Sequence, residues 1–292
     1  MDMKKRWEER RALVEKQLVT ELDEEHALDA TLAASMKYSL MAGGKRLRPI
    51  LLMAAADAVG ADGTKFLHSA CAIEMIHTYS LIHDDLPAMD NDDYRRGKST
   101  NHKVYGAGMA TLAGDALLTL AFEVMLREDV PAEKKLAVVR EMSVGAGPNG
   151  MVGGQAIDLE SEGKHIPMEL LRQMHMGKTG ALFRAAIRSG AELGNASEEQ
   201  LAALTDYAEA FGLAFQITDD ILDVVGDEKV IGKPVGSDIR NEKSTYVTLT
   251  SLDEAKKLAD DAVRKGEESL RAFGAEADFL RDLLAYLVKR NH

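Results

Sequence analysis

The sequence predicts a large all-α protein, and three observations lead to this. Proline is scarce (6 of 292 residues) and aromatic residues make up 5% of the chain, whereas Ala, Leu, Glu and Lys are abundant, a composition that favours helices over sheets. Apolar residues recur at helical spacing, without a convincing strand-like alternation. No Pro-rich or Ser/Gly-rich linker divides the chain, so a single domain over residues 1–292 is expected.

Glycine and proline set the predicted limits of the helices. Gly43 and Gly44 end the second helix, and Pro49 opens the third. Pro87 argues against an unbroken helix through its neighbouring aspartates, so residues 90–100 are predicted to be a loop, as are residues 226–244. The predicted helices cover residues 4–22, 29–41, 50–59, 65–83, 107–127, 132–146, 151–161, 168–193 (one helix or a kinked pair), 198–225, 253–272 and 276–289.

The overall charge and the cysteine content exclude several classes of protein. A net charge of −12 argues against a nucleic-acid partner, whose phosphates require a basic face. The one cysteine, Cys71, excludes an internal disulfide and a cysteine-based zinc site. No signal-peptide segment and no run of 18 apolar residues is found, so a cytoplasmic protein without a membrane span is expected.

Two aspartate clusters are the most informative feature of the chain. The first comprises Asp84, Asp85 and Asp90, and the second comprises Asp219, Asp220 and Asp223. On a helix, residues 219 and 223 share one face, and the apolar flanks of this cluster disfavour the alternative of a solvated acidic edge. Because buried, unpaired carboxylates cost several kcal/mol, we expect these side chains to bind Mg²⁺, whose other positions take water and phosphate oxygens.

Two basic segments could bind phosphate groups. Residues 43–49 combine two glycines, three cations and the start of a helix, although a basic surface turn is the alternative and the spacing is not that of a Walker motif. Arg95 and Arg96 follow the first aspartate cluster, where guanidinium groups could hold a phosphate bridged to Mg²⁺. A di-iron bundle is the competing interpretation of Glu74 with His77 and of Glu162 with His165, but too few helix-borne glutamates accompany them.

Three segments together resemble the trans-prenyltransferases, also called polyprenyl diphosphate synthases. These segments are residues 80–90, 150–158 and 215–223, with the basic segment before them and Lys233 to Lys243 after them. The resemblance covers nearly the whole chain. The spacing of four residues between Asp85 and Asp90 is most similar to that in bacterial farnesyl diphosphate synthases. The resemblance implies an all-α bundle of the isoprenoid synthase type with a central cavity, and a homodimer.

The resemblance also implies a reaction and a role for each site residue. Isopentenyl diphosphate would be condensed head to tail with dimethylallyl or geranyl diphosphate through an allylic carbocation, assisted by three Mg²⁺ ions or by Mn²⁺. The metal ligands would be Asp84, Asp85, Asp90, Asp219, Asp220 and Asp223. The allylic diphosphate would be bound by Arg95, Lys178, Lys233 and Lys243, and isopentenyl diphosphate by Gly44, Lys45, Arg48, His77 and Arg96. Lys178, Thr179 and Gln216 would stabilise the carbocation.

Product length would be set by the residues that precede the first aspartate cluster. Tyr79 lies five residues before Asp84, about 7.5 Å along an ideal helix, and with Ser80 would stop the product at fifteen carbons. A geranylgeranyl synthase and a non-catalytic subunit are the alternatives. The chain departs from the family pattern at Ser99, Ala107 and Val247, which would affect the stiffness of loops and not the ligands.

Overall fold

The computed structural model describes residues 3–22, 27–226 and 243–289, and its regular structure is almost entirely helical. The prediction of an all-α protein is confirmed. The helices are α1 (Met3–Glu21), α2 (Ala30–Leu40), α3 (Leu47–Ala58), α4 (Leu67–Asp84), α5 (Asn101–Tyr105), α6 (Ala107–Leu126), α7 (Ala132–Ala146), α8 (Met151–Ser161), α9 (Met168–His175), α10 (Ala181–Leu193), α11 (Glu198–Val225), α12 (Tyr246–Leu249), α13 (Leu252–Ser269) and α14 (Asp278–Lys289).

Several short elements of the structure were not predicted from the sequence. Strands β1 (Tyr94–Arg95) and β2 (Lys98–Ser99) form a small antiparallel hairpin. Helices α5 and α12 were not predicted either, and short 3₁₀ turns occupy Gly63–Lys65 and Ala275–Ala277. Elements of two to five residues are too short to show a periodicity, so the sequence could not indicate them.

The chain divides into two compact units. The first unit comprises Met1–Met53 and Thr64–Val139, and the second comprises Ala54–Gly63 and Arg140–His292. The expectation of a single domain stays a prediction.

Helix α4 is the central helix of the first unit. It packs along α6 and also contacts α1 and α2. Eleven of its residues are buried, among them Cys71, which has no exposed surface. A helix that is covered on most sides has little freedom to shift, so the residues at its carboxyl end are held firmly.

Helix α11 is the central helix of the second unit. It packs against α10, α13 and α14, and it begins with a capping box in which Ser197 and Gln200 bond to each other's backbone amides. Ile217 and Ile221 belong to an apolar cluster that includes Leu171 and Tyr246. The second aspartate cluster is therefore carried by a well-packed helix.

One helix of the described residues, α6, is long and apolar enough to cross a bilayer by length and composition alone. In its most apolar window 39% of the residues are buried, and the helix carries Asp115 and Glu123. A packed helix of a globular protein passes the same test. The expectation of no membrane span remains a prediction.

A buried ion pair joins the basic segment to α4. Arg46 is 2% exposed, and its Nη1 donates to Glu74 Oε1 at 2.8 Å, while its Nη2 donates to the carbonyl oxygen of Leu40 at 2.9 Å. Glu15 Oε1 lies 3.7 Å from Arg46 Nε. Glu74 thus serves as a counter-ion for arginine, which removes it from the di-iron interpretation.

We predict that Glu74→Ala lowers the free energy of unfolding by about 3–5 kcal/mol, because it leaves a buried guanidinium uncompensated. Urea unfolding would measure this. The control is Glu268→Ala, which removes an exposed partner of Arg271 and should cost less than about 1 kcal/mol. Equal effects of the two substitutions would contradict the structural role of Glu74.

Candidate active site

The first aspartate cluster lies at the carboxyl end of α4. Asp84 is the last residue of the helix, and Asp85 caps it. The chain then folds back, because the backbone amide of Asp90 donates to the carbonyl oxygen of Asp84 at 2.9 Å. Asn91 adopts a left-handed conformation (φ 52°) as the chain leaves this turn. The turn returns the backbone of the third aspartate to that of the first, which the sequence spacing alone could not establish.

Asp85 is paired with Arg95. It is 3% exposed, and Arg95 Nε donates to its two carboxylate oxygens at 2.8 and 2.9 Å, with Arg95 Nη2 at 2.7 Å from Oδ1. Burial raises the pKa of the Asp85 carboxyl, and the Arg95 guanidinium offsets only part of this effect. A metal ion that bound Asp85 would therefore have to replace Arg95.

The hairpin that carries Arg95 and Arg96 is anchored to α2. Arg96 and Gly97 form its turn, both with positive φ (53° and 74°), as in the tight turns of two-residue hairpins. Tyr38 on α2 donates its hydroxyl to the carbonyl oxygen of Ser99 at 2.7 Å. Because this bond uses the backbone carbonyl of Ser99, it does not depend on the side chain at this position, where the chain departs from the family pattern.

The basic segment directs its cations to different places. Arg46 is buried on Glu74, whereas Lys45 is exposed and Arg48 is half-buried. Gly44, with φ at 130°, lies against Arg96, since a Cβ there would come within 2.7 Å of the guanidinium carbon. Arg96 also donates to the carbonyl oxygen of Gly43. The segment and the hairpin are thus brought together.

His77 lies among the arginines of the first unit. Burial lowers its pKa well below the ordinary value, and Arg48, Arg96, Arg95 and Arg46 lower it further. Burial also lowers the pKa of Arg48 to about 10, and Arg96 adds to this effect while Glu74 opposes it. His77 is therefore neutral at pH 7, and the mutual repulsion of the arginines favours a bound anion.

The two residues predicted to limit product length also lie on α4. Tyr79 is 5% exposed, and burial raises its pKa to about 12. Ser80 is half-buried and donates its hydroxyl to the carbonyl oxygen of His77 at 2.8 Å within the same helix. Of the two, Tyr79 is the bulkier side chain.

In the second unit, the aspartates of α11 differ in burial. Asp219 is exposed, whereas Asp220 and Asp223 are 6% and 1% exposed. Asp220 Oδ2 accepts a hydrogen bond from the backbone amide of Tyr246 at 2.8 Å and so holds the start of α12. Asp219 is thus the accessible carboxylate of this cluster.

Lys178 and Thr179 lie on a π-helical turn, Met176–Gly180, between α9 and α10. Such turns are rare and frequently found at functional sites. Lys178 Nζ donates to Asp158 Oδ2 at 2.7 Å. Gly154 permits this approach, because a Cβ there would lie 2.0 Å from the backbone nitrogen of Lys178. Asp158 belongs to a segment that carries the family resemblance, but its partner could not be found from the sequence.

His175 is a buried histidine that sequence reasoning missed. It is 9% exposed and packs on Tyr246 with ring centroids 5.6 Å apart. Burial lowers its pKa to about 4, Lys178 and Lys243 act in the same direction, and Asp158 and Asp219 oppose them. Lys243 is exposed and Gln216 is half-buried on α11. Lys233 lies outside the described residues.

The side chains of the two aspartate clusters have the chemistry that Mg²⁺ requires. Within the described residues, no three His, Cys, Asp or Glu side chains converge as a ready-made metal site. The donors at both clusters are carboxylates alone, which suits Mg²⁺, and this ion needs few protein ligands when water and phosphate oxygens complete its shell. Asp90 and Asp219 are exposed and Asp84 is partly buried. These residues fit Mg²⁺ bound together with a diphosphate.

Comparisons with known proteins define the class. The profile of the family described as polyprenyl synthetase matches residues 29–275. The farnesyl diphosphate synthase of Micrococcus luteus is 47% identical over 92% of this chain and 93% of its own length. That of Geobacillus stearothermophilus is 48% identical over 90% of each chain. The crystal structure of geranylgeranyl pyrophosphate synthetase from Pyrococcus horikoshii matches with a TM-score of 0.91 and 35% identity, covering 99% and 98% of the two chains.

The matched segment spans most of the chain, and the fold is shared with a solved structure throughout. The chain therefore belongs to the polyprenyl synthetase family. It is a prenyltransferase, as its resemblance to the trans-prenyltransferases predicted.

We predict that His175 makes the protein less stable in acid. Between its ordinary pKa of 6.5 and the folded value of about 4, the unfolded chain binds the proton that the folded protein excludes. The free energy of unfolding should thus fall as the pH falls, by about 2 kcal/mol from this group at pH 5. Urea unfolding at pH 7.5 and pH 5 should show a smaller pH effect in His175→Gln.

The control for this prediction is His165→Gln, which replaces an exposed imidazole in the same unit. It should keep the pH effect of the parent protein. An equal pH effect in the parent protein and in His175→Gln would show that the burial of His175 does not govern acid stability.

Proposed function

We propose that this protein is a farnesyl diphosphate synthase that condenses isopentenyl diphosphate with dimethylallyl or geranyl diphosphate. The observation that carries the proposal is the packing of the Arg96 guanidinium against Gly44 of the basic segment, with Arg95 next in the chain held on Asp85 at the end of α4. This arrangement supports an anion site next to carboxylates that fit Mg²⁺. The farnesyl diphosphate synthases to which the chain is similar match it along almost their whole length.

The residues of the first unit would bind isopentenyl diphosphate through charge and hydrogen bonds. Arg48, Arg96 and Lys45 provide the cations, and the backbone at Gly44 lies close enough to Arg96 to complete the site. His77 is neutral at pH 7 and keeps one N–H, so it can donate a hydrogen bond to a phosphate oxygen without adding to the repulsion among the arginines.

The allylic diphosphate is the group that departs, and it gains negative charge as it does so. Bound Mg²⁺, three ions by family resemblance or Mn²⁺ in its place, would stabilise this charge as a Lewis acid. The residues assigned to the metal are Asp84, Asp85, Asp90, Asp219, Asp220 and Asp223. The residues assigned to the allylic diphosphate are Arg95, Lys178, Lys233 and Lys243.

Groups that bind the leaving diphosphate more tightly as its charge develops lower the barrier. Lys178 is held by Asp158 before the substrate arrives, whereas Arg95 would pass from Asp85 to the diphosphate when a metal ion binds Asp85. The dipoles of Thr179 and Gln216 would face the carbocation. Water must be excluded from this cation, and the released diphosphate can accept the proton that is lost.

The product and the assembly are the finer parts of the proposal. Tyr79 and Ser80 would stop the chain at fifteen carbons; a geranylgeranyl synthase is the second candidate, because a synthase of that name shares the fold. All six aspartates are present, which disfavours a non-catalytic subunit. We also propose a cytoplasmic homodimer, and the half-exposed Leu112 and Leu126 of α6 suit a subunit contact.

The direct test is an assay with isopentenyl diphosphate, either allylic diphosphate and Mg²⁺, followed by chromatography of the dephosphorylated products. Farnesol from both allylic substrates is the expected result. Geranylgeraniol as the main product would favour the second candidate, and no condensation would favour the non-catalytic subunit.

We predict that Asp219→Ala or Asp84→Ala lowers kcat about a thousandfold, because several kcal/mol of charge stabilisation is lost. The Mg²⁺ concentration for half-maximal rate should also rise. The control is Asp206→Ala, an exposed aspartate on the same helix as Asp219, which should change neither value. Full activity in Asp219→Ala would contradict the metal assignment.

We predict that Tyr79→Ala allows products longer than fifteen carbons, because the bulky ring is removed from the wall of α4. The measurement is the chain-length distribution at low conversion with fixed substrate concentrations. Farnesyl diphosphate as the unchanged product of Tyr79→Ala would remove Tyr79 from this role.

A further inference from the structure

The ring of Tyr79 is held by its neighbour one turn along α4. Tyr79 and His83 stand four residues apart on one face of the helix. Their ring centroids are 5.6 Å apart and their planes meet at 85°, so the two rings pack edge to face. The orientation of Tyr79 therefore depends on where the imidazole of His83 lies.

The imidazole of His83 is fixed by α6. His83 Nε2 lies 3.0 Å from the backbone carbonyl oxygen of Thr111, and 3.7 Å from Asp115 Oδ1. A carbonyl oxygen only accepts hydrogen bonds, so Nε2 carries the proton and donates it. The bond fixes both the tautomer and the direction of the ring.

Gly114 makes room for this ring. A Cβ at position 114 would come within 2.2 Å of His83 Nε2 and 2.4 Å of His83 Cδ2. The glycine is needed here for close approach and not for its backbone conformation, because its φ is not positive. With any other residue at this position, the imidazole would have to turn away from Thr111.

We propose that His83, seated on Gly114, is a positioning residue that orients Tyr79 and so sets the length of the product. The inference rests on the proposed function, and it deepens that function by adding a second layer behind the ring that stops the chain. The edge-to-face packing against His83 holds the ring of Tyr79 in its present orientation. A ring that can rotate admits a longer chain.

The first test is the product distribution of His83→Ala. The ratio of twenty-carbon to fifteen-carbon product should rise about two- to tenfold, the range expected from the loss of one edge-to-face contact. The ratio is measured at low conversion with matched substrate concentrations, so a slower enzyme does not by itself change it. His83→Gln retains an N–H that can reach Thr111 and should restore part of the parent ratio.

The second test uses glycines of one helix. Gly114→Ala should displace the imidazole and raise the same ratio, whereas Gly108→Ala, where a Cβ would meet nothing within 4 Å, should leave it unchanged. If His83 transmits the effect, Gly114→Ala should add nothing in the His83→Ala background. If His83→Ala does not fold, the comparison of Gly114→Ala with Gly108→Ala in the parent protein decides the matter.

Two results would overturn the inference. One is a parent distribution in both His83→Ala and Gly114→Ala, and the other is full additivity of the two substitutions. These outcomes differ from failure of the proposed function, which would appear as the absence of condensation by the parent protein.

Discussion

Four arginines of the first unit act electrostatically on one buried histidine, and the arrangement of the nearby loops depends on how their charge is balanced. Arg46, Arg48, Arg95 and Arg96 all lower the pKa of His77. Glu74 and Asp85 compensate one arginine each. Burial depresses the pKa of Arg48 and repulsion by Arg96 adds to this effect, and a bound diphosphate would relieve the repulsion. Affinity for an anion is thus built into the protein before any substrate is present.

The same balance explains why Arg95 lies on Asp85. A carboxylate that is 3% exposed is costly to leave without a cation, and the guanidinium supplies one through three short contacts. A divalent ion could take this place only if Arg95 moved to another anion, and a diphosphate bound to that ion would provide one.

The sequence predicted the helices well, because Gly43 and Pro87 lie just beyond helix ends and long segments show a clear period. Pro49 was expected to open α3, but this helix begins two residues earlier, at Leu47. The sequence could not predict in which direction each side chain points. Lys45, Arg46 and Arg48 were equivalent cations in the sequence, but Glu74, distant in the chain, draws one of them into the core. The sequence likewise did not distinguish the three aspartates of α11 by their partners. In the structure, one of them accepts a hydrogen bond from the backbone amide of Tyr246. Such choices depend on partners that no local pattern specifies.

A second constraint is the close approach of other groups to glycine, which occurs at three positions of the candidate site. Gly44 admits the guanidinium of Arg96, Gly114 admits the imidazole of His83, and Gly154 admits the backbone of Lys178. At each of these positions a Cβ would lie 2.7 Å or less from the neighbouring group. The last two glycines have no positive φ, so their role follows from space and not from backbone conformation. The absence of a side chain at each glycine thus leaves room for the neighbouring group. Close packing, more than flexibility, determines where these groups can lie.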